Sequence, residues 1–311
     1  MKPTKRGIVL GVLVVVGGVL LTVAALQQPL AGQAAPRVVE AEQLKDNLYV
    51  LKGGGGNSSA FVTENGVVVV DTKNPGWGQP LLDAIGELTS SPVTTIINTH
   101  SHFDHVSGNV EFPTSVEVVT HENTQRLMGE WNSVTGLGAE PPNVFETSNG
   151  QGMPTRTFSD TMTLGSGADQ IDLHYFGRAH TGGDAWVVFP SLRVMHAGDA
   201  FAGKQVPIMD ANNGGSGVEY PVTLWNAYAG VQDVDAIITG HSTVMTRDDL
   251  REYATFVGAF VTAARTAKRD GQSAQEHAST WQVPPRFLGY GKPPAERLQA
   301  YVQVIYDELD E

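Results

Sequence analysis

Hydrophobic and polar positions fall into short alternating runs from residue 47 onward. Segments 47–51 (NLYVL), 60–63 and 67–71 (VVVVD) have the β-branched and aromatic content of strands. Glu64, Asn65 and Gly66 supply a turn between the last two, so this half opens as a β-meander. Leu81, Leu82, Ile85 and Leu88 then recur at helical spacing, and 93–98 reads as a buried strand. A further strand at 116–120 is followed by a helical stretch from 122 to 131. Residues 136–154 hold four Gly and three Pro in nineteen positions, which predicts a loop. A second group of strands follows at 160–164, 171–176, 185–189, 193–197 and 236–239, with helical stretches between and after them. From Thr246 onward the pattern is helical. Leu298, Tyr301, Val302, Ile305, Tyr306 and Leu309 keep the spacing of an amphipathic helix that docks on the body. Two β-rich halves with flanking helices predict an α/β chain of two face-to-face sheets with helices outside.

The beginning of the chain follows a different grammar. Lys2, Lys5 and Arg6 precede an uncharged stretch at 7–26, and Gly32 and Ala34 offer the small residues of a cleavage site ahead of Ala35. Residues 1–34 are therefore expected to be a signal peptide or, given the length of the apolar run, an N-terminal membrane anchor. Either places the rest of the chain outside the cytoplasm, as a periplasmic or extracellular protein or one held at the outer face of the inner membrane. The expected organisation beyond it is a catalytic domain over 35–246 and a C-terminal helical extension over 247–311, packed on the same domain.

Charge and cysteine content narrow the chemistry. A net charge of −13 lacks the basic footprint that phosphate binding requires, which argues against nucleic acid as a partner. The chain has no cysteine, which excludes disulfides, thiolate metal sites and a cysteine nucleophile, so any metal must be held by His and carboxylate.

Residues 98–109 read NTHSHFDHVSGN. His100 and His102 leave a strand two residues apart, which puts both imidazoles on one side, and Asp104 and His105 follow in a turn. Four potential ligands in six residues are hard to explain as core packing, because so many unpaired polar groups would be costly to bury. His180, Asp199 and His241 lie in matching contexts, each just after a strand and beside glycine. Seven ligands make two sites. His121, His174, His196 and His277 have no such frame and are expected to be ordinary core or surface histidines.

This set resembles the metallo-β-lactamase superfamily, from about residue 47 to His241. The family's HxHxDH signature is matched by His100, His102, Asp104 and His105, and its later ligands by His180, Asp199 and His241. The resemblance implies an αββα four-layer sandwich holding two zinc ions, with iron or manganese as alternatives for such N/O ligands. It assigns His100, His102 and His180 to the first metal and Asp104, His105 and His241 to the second, with Asp199 as the bridge and Asp104 as a catalytic proton shuttle. Asp71, ending the VVVVD strand, matches a position that supports the ligand loop. Asp184, in HTGGD, reads as either a similar support or a cap. The implied reaction is attack by a metal-bridging hydroxide on the carbonyl of a small acyl substrate.

Asp rather than Cys at position 199 sets the chain apart from β-lactamase branches with a cysteine ligand. An intact His102 separates it from the flavodiiron branch. An exported hydrolase of small acyl compounds remains, with a β-lactam as the named guess, a lactone, ester or thioester as the alternative, and a periplasmic metal-binding accessory protein as the non-enzymatic reading. Expected substrate contacts are Trp77, Lys204, Asn212 and Asn213, with the glycine-rich hairpin at 53–58 edging the site. Oligomeric state is not legible in the sequence.

Overall fold

In the first half of the computed structural model, which describes residues 36–311, seven strands form one sheet in sequence order. They are β1 (Glu40–Lys45), β2 (Leu48–Lys52), β3 (Ser58–Thr63), β4 (Gly66–Val70), β5 (Val93–Ile97), β6 (Glu117–His121) and β7 (Arg156–Phe158). The first four pair antiparallel; from β4 to β7 the pairing is parallel, and helix α1 (Gly78–Leu88) makes the crossover from β4 to β5. Helices α2 (Phe103–Val106), α3 (Glu122–Glu130) and α4 (Val144–Thr147) lie in the connections that follow.

The second sheet contains β8 (Thr161–Leu164), β9 (Ile171–Tyr175), β10 (Ala185–Phe189), β11 (Val194–His196) and β12 (Ala236–Ile238), in the order β12-β11-β10-β9-β8. Four helices belong to this half: α5 (Tyr220–Gly230), α6 (Arg247–Arg269), α7 (Ala274–Thr280) and α8 (Ala295–Glu308).

Period-2 alternation explains the layers. Along β4, Val68 and Val70 face the other sheet, where they join Phe61, Ile97, Leu173, Val187 and Phe189 in the inter-sheet core. Val67 and Val69 point the other way, onto Leu81 and Ile85 of α1. Along β10, Val187 and Phe189 face inward, while Trp186 and Val188 meet Leu224 of α5, Tyr253 and Val257 of α6 and Tyr301 of α8. Each such aliphatic or aromatic side chain removed from water contributes roughly 1.5–3 kcal/mol. The result is helix, sheet, sheet, helix, as expected, with residues 37–311 forming one compact unit.

The structure adds elements that the pattern did not show. The strand β1 is almost wholly exposed and polar, and it forms by pairing with the edge of β2, so it carries no hydrophobic signature. The stretch 136–154 is not wholly loop, because Asn143 caps the short helix α4. The C-terminal region is three helices, with 281–294 non-helical where Pro284, Pro285, Pro293 and Pro294 interrupt the backbone hydrogen bonding. The expected signal or anchor segment at 1–34 lies outside the described residues; among the described residues no helix is long and apolar enough to cross a membrane.

Candidate metal centre

All seven expected ligands converge at one end of the two sheets. β5 delivers His100 and His102, and α2 starts immediately afterwards with His102 as its N-cap, so Asp104 and His105 follow within one turn. His180 lies in the loop after β9, Asp199 in the 3₁₀ turn after β11, and His241 just beyond β12. The placement of Asp199 is made possible by glycine: a Cβ at Gly240 would sit 1.8 Å from Asp199 Oδ1. The hairpin at 53–58 is likewise pressed onto the centre, where a Cβ at Gly56 would lie 2.1 Å from the His105 ring.

The donor atoms of the seven form two groups, joined through a third cluster of Asp71, His100 and His105. His100, His102, His180 and Asp199 make one, with imidazole centroids 4.5–4.8 Å apart, and Asp104, His105 and His241 make the other. Asp199 reaches both: Oδ2 is 3.7 Å from His180 Nε2 and 3.3 Å from His241 Nε2, and Oδ1 is 3.4 Å from His105 Nε2. His241 Nε2 lies 3.2 Å from Asp104 Oδ2. Ligands at zinc bond lengths in a tetrahedron are separated by about 3.3 Å, so the spacing fits.

The outward nitrogens of four of the five histidines are occupied. His102 Nε2 donates to Asp210 Oδ2 at 2.7 Å, His180 Nδ1 to the Ile208 carbonyl at 3.0 Å, and His105 Nδ1 to Asp71 Oδ2 at 2.7 Å. Thr99 Oγ1 gives its hydrogen to Asp71 and accepts from His100 Nδ1 at 3.0 Å. Each of these four rings therefore turns its other nitrogen inward. His102 Nδ1 and His180 Nε2 face each other at 3.0 Å, and His100 Nε2 and Asp199 Oδ1 are buried without any hydrogen-bond partner. A cation satisfies all of these at once, and the second partner on each ring is what metal-binding histidines require.

Electrostatics divides the histidines. Burial, reinforced by His105, His102 and His180, holds His100 well below the ordinary range, and burial with His102 lowers His180 to about 4, so both offer free lone pairs. Asp199 raises His241 to about 10 against the opposing effect of burial. At His105, burial is outweighed by the carboxylates of Asp104, Asp199 and Asp71, which hold it well above its usual value. Ion binding must displace those protons, so metal uptake releases protons.

Two buried carboxylates organise the loops. Asp71 also accepts from the Thr99 amide at 2.8 Å and Thr99 Oγ1 at 2.7 Å, locking the strand end that precedes His100. Asp184 accepts from the amide and hydroxyl of Thr181, closing the turn after His180, and burial pushes its carboxyl up to about 7. Asp210, which the sequence reading passed over, does the equivalent job for His102. Its one visible signal is an apolar run ending in Asp (VPIMD), the same grammar as VVVVD.

Beside the metal groups is a cavity of about 260 Å³, lined by His102, Asp104, His180, Asp199 and His241 together with Phe103, Val134, Leu137, Ala202, Gln205 and Ile208. None of the four expected substrate contacts lines it. Trp77 packs on the glycine hairpin at Gly54, next to Arg37. Lys204 turns away to Asp249 and Glu252 on α6, at 2.8 and 3.2 Å. Asn212 and Asn213 hold the 132–135 loop, donating to the Ser133 and Asn132 carbonyls. Each of the four packs on or bonds another segment of the chain.

Three of the remaining histidines pack within the fold. His121 caps α3, and His174 stacks on Phe176. His196 is fully buried, 3.2 Å from Ser59 Oγ, and burial lowers it to about 4. Because its folded value lies below the unfolded 6.5, its contribution is complete above pH 6.5 and is lost as pH falls toward 4. That is worth roughly 3 kcal/mol, so His196→Asn is expected to flatten the loss of stability over this window, read from denaturant unfolding at successive pH values. An unchanged slope would remove His196 as its source.

Comparison with known proteins agrees with this architecture. A family model described as Metallo-beta-lactamase superfamily matches residues 51–241. The chain is 25% identical over 175 residues to the 2,4-dinitroanisole O-demethylase subunit alpha of Nocardioides sp. (strain JS1661), spanning 55% of this chain and 49% of that one. It is 28% identical to the metallo-beta-lactamase type 2 of Elizabethkingia meningoseptica, over 54% of this chain and 64% of the relative. With the metallo-beta-lactamase IND-1 of Chryseobacterium indologenes identity is 23%, over 70% and 88%. The match thus spans about half to two thirds of the first two relatives. Among solved structures, a metallo-beta-lactamase from Pontibacter korlensis superposes with a TM-score of 0.58 at 18% identity, covering 71% of this chain and 99% of that one, which shows the shared fold. With a match over most of its two sheets, the chain belongs to the metallo-β-lactamase superfamily.

Proposed function

We propose that the protein is a dinuclear zinc hydrolase of small acyl substrates. The observation that carries this reading is the sharing of Asp199 between two donor groups whose inward atoms include buried, unpartnered ones. His100, His102, His180 and Asp199 would hold one ion, and Asp104, His105, His241 and Asp199 the other. Two such cations supply Lewis acidity and a water acidified toward neutrality. The protein's part is to fix the rings through Asp71, Asp210, Thr99 and the Ile208 carbonyl, and to wall the reacting bond off from bulk water with Val134 and Leu137. Asp104 lines the cavity. Burial would raise its carboxyl, but His105 and His241 hold it at about 2, so it is ionised at neutral pH and offers a ligand oxygen, and the proton-shuttle role rests on its place in the motif.

A β-lactam is the named substrate because two relatives are metallo-beta-lactamases by name. A lactone or ester is the second reading, favoured by the apolar lining of the cavity. We also propose that residues 1–34 direct export or anchor the chain, on the strength of Lys2, Lys5 and Arg6 ahead of an uncharged stretch.

The test is hydrolysis of a chromogenic β-lactam and a panel of lactones and esters by the zinc-loaded full chain, with a chelator and His102→Ala as blanks. Turnover lost in both blanks supports the reading. Two bound metals with no turnover across the panel overturn it in favour of a metal-binding accessory role.

A further inference from the structure

The long helix α6 has two faces of different character. Leu250, Tyr253, Val257, Val261 and Ala264 are buried in the core of the second half, whereas Thr255, Ala259, Thr262 and Thr266 on the opposite side are exposed or half-buried. These four alternate at spacings of four and three. The series continues to Asp248 and Glu252 before them and to Arg269 after them, the repeat by which one helix seats against another. The hydroxyls of Thr255 and Thr262 donate to the Arg251 and Gly258 carbonyls at 2.9 and 2.7 Å, so both are satisfied within the helix.

Two features of this face have no use in a single chain. Gly258 lies mid-way along the 23-residue helix, where glycine is among the least favourable residues, yet a Cβ there would meet only Pro221 Cβ, at an ordinary 3.9 Å. The fold has room for a side chain at this position; a second backbone packed closely on it would not. The other feature is His277 of α7, in the wall of an open groove of about 630 Å³ that runs along Ala259, Thr262 and Thr266. His277 is only 7% exposed, and its Nε2 is buried without a hydrogen-bond partner, which calls for a group from outside the chain. Past Arg286 the groove continues beside Trp225 of α5, which is 41% exposed.

Charge identifies the occupant. Asp248 and Glu252 lie at the first turns of the face, Arg265 and Arg269 at its last. An antiparallel copy with a two-fold axis between Gly258 and Ala259 sets Thr255 opposite Thr262, Glu252 opposite Arg265 and Asp248 opposite Arg269. Acid then meets base at both ends, Arg251 faces Thr266 rather than a like charge, and the glycine falls at the crossing point. The partners these groups have within the chain are Arg251 for Asp248, Asp270 for Arg269 and Lys204 for Glu252, all at the surface, so each can take a second.

We propose that the protein forms a two-fold dimer in which the outer faces of α6 from two copies pack antiparallel about Gly258. This inference is independent of the hydrolase reading.

Because the chain has no cysteine, a single introduced one reports contact directly. Ala259→Cys, beside the axis, is expected to oxidise to a covalent dimer, while Glu87→Cys on the exposed side of α1 stays monomeric. Asp248→Cys and Arg269→Cys should cross-link with each other in an equal mixture, and neither with itself. Sedimentation velocity of the full chain is expected to show a dimer that Gly258→Leu disperses with thermal stability retained. Arg269→Asp should raise the dissociation constant roughly fivefold or more, and adding Asp248→Arg to that chain should restore it. A chain that stays monomeric at about 100 μM, a dimer unmoved by both Gly258→Leu and Arg269→Asp, or Asp248→Cys cross-linking with itself overturns the proposal.

Discussion

Exchanging Asp199 for asparagine is expected to lower kcat/KM by about a thousandfold or more, the size of an effect worth several kcal/mol of Lewis-acid stabilisation. Asparagine keeps the shape and loses the charge. The carboxylate it replaces sits 3.3–3.7 Å from His105, His180 and His241, and its Oδ1 is buried with no hydrogen-bond partner of its own. Its two oxygens approach histidines of both donor groups, so affinity at both should fall together. Metal analysis of the dialysed variant beside its kinetics checks this, and near-normal turnover with full metal content would show that Asp199 does not bridge.

Asp71→Asn is expected to be the next most damaging change, and by a different route. The carboxylate accepts from the Thr99 amide, Thr99 Oγ1 and His105 Nδ1, all within 2.8 Å, from a backbone held at φ +60°. An amide offers one acceptor oxygen and turns an NH₂ toward donors that already need acceptors. The loss should be roughly 10–100-fold in activity, as for other groups that orient a metal-binding histidine. Stability should fall by about 3 kcal/mol, the penalty of leaving buried donors unpaired. Because Asp71 bonds His105 directly and reaches His100 only through Thr99, metal affinity should drop more at the second group than at the first. Equal losses at both would mean that Asp71 supports the strand end as a whole.

The two layers of strands and all seven converging ligand residues were legible because their causes are local. Alternation along VVVVD and AWVVF marks faces of a sheet, and a histidine or aspartate directly after a strand stands at the sheet's end wherever that sheet lies. Asp210 was not legible, since its meaning is a hydrogen bond to His102 across more than a hundred residues of chain. The same limit applies to Lys204, Asn212 and Asn213. Polar residues following the bridging aspartate suggested ligand contacts, whereas their partners on α6 and in the 132–135 loop exist only once the fold is formed. The exposed strand β1 belongs with them, being defined by its neighbour rather than by its own pattern. The cavity wall was hidden for a related reason: Val134 and Leu137 sit in a segment without periodicity, and Asp210 places them by accepting from the Thr135 amide and hydroxyl.

The most direct measurement is metal stoichiometry of the full chain, titrated with zinc and read by calorimetry, for the unaltered protein and for His102→Ala and His241→Ala. The account expects two ions per chain, falling to one in each variant, with different affinities left behind because each removes a different donor group. A single ion per chain that survives His241→Ala unchanged would contradict the shared, two-group centre.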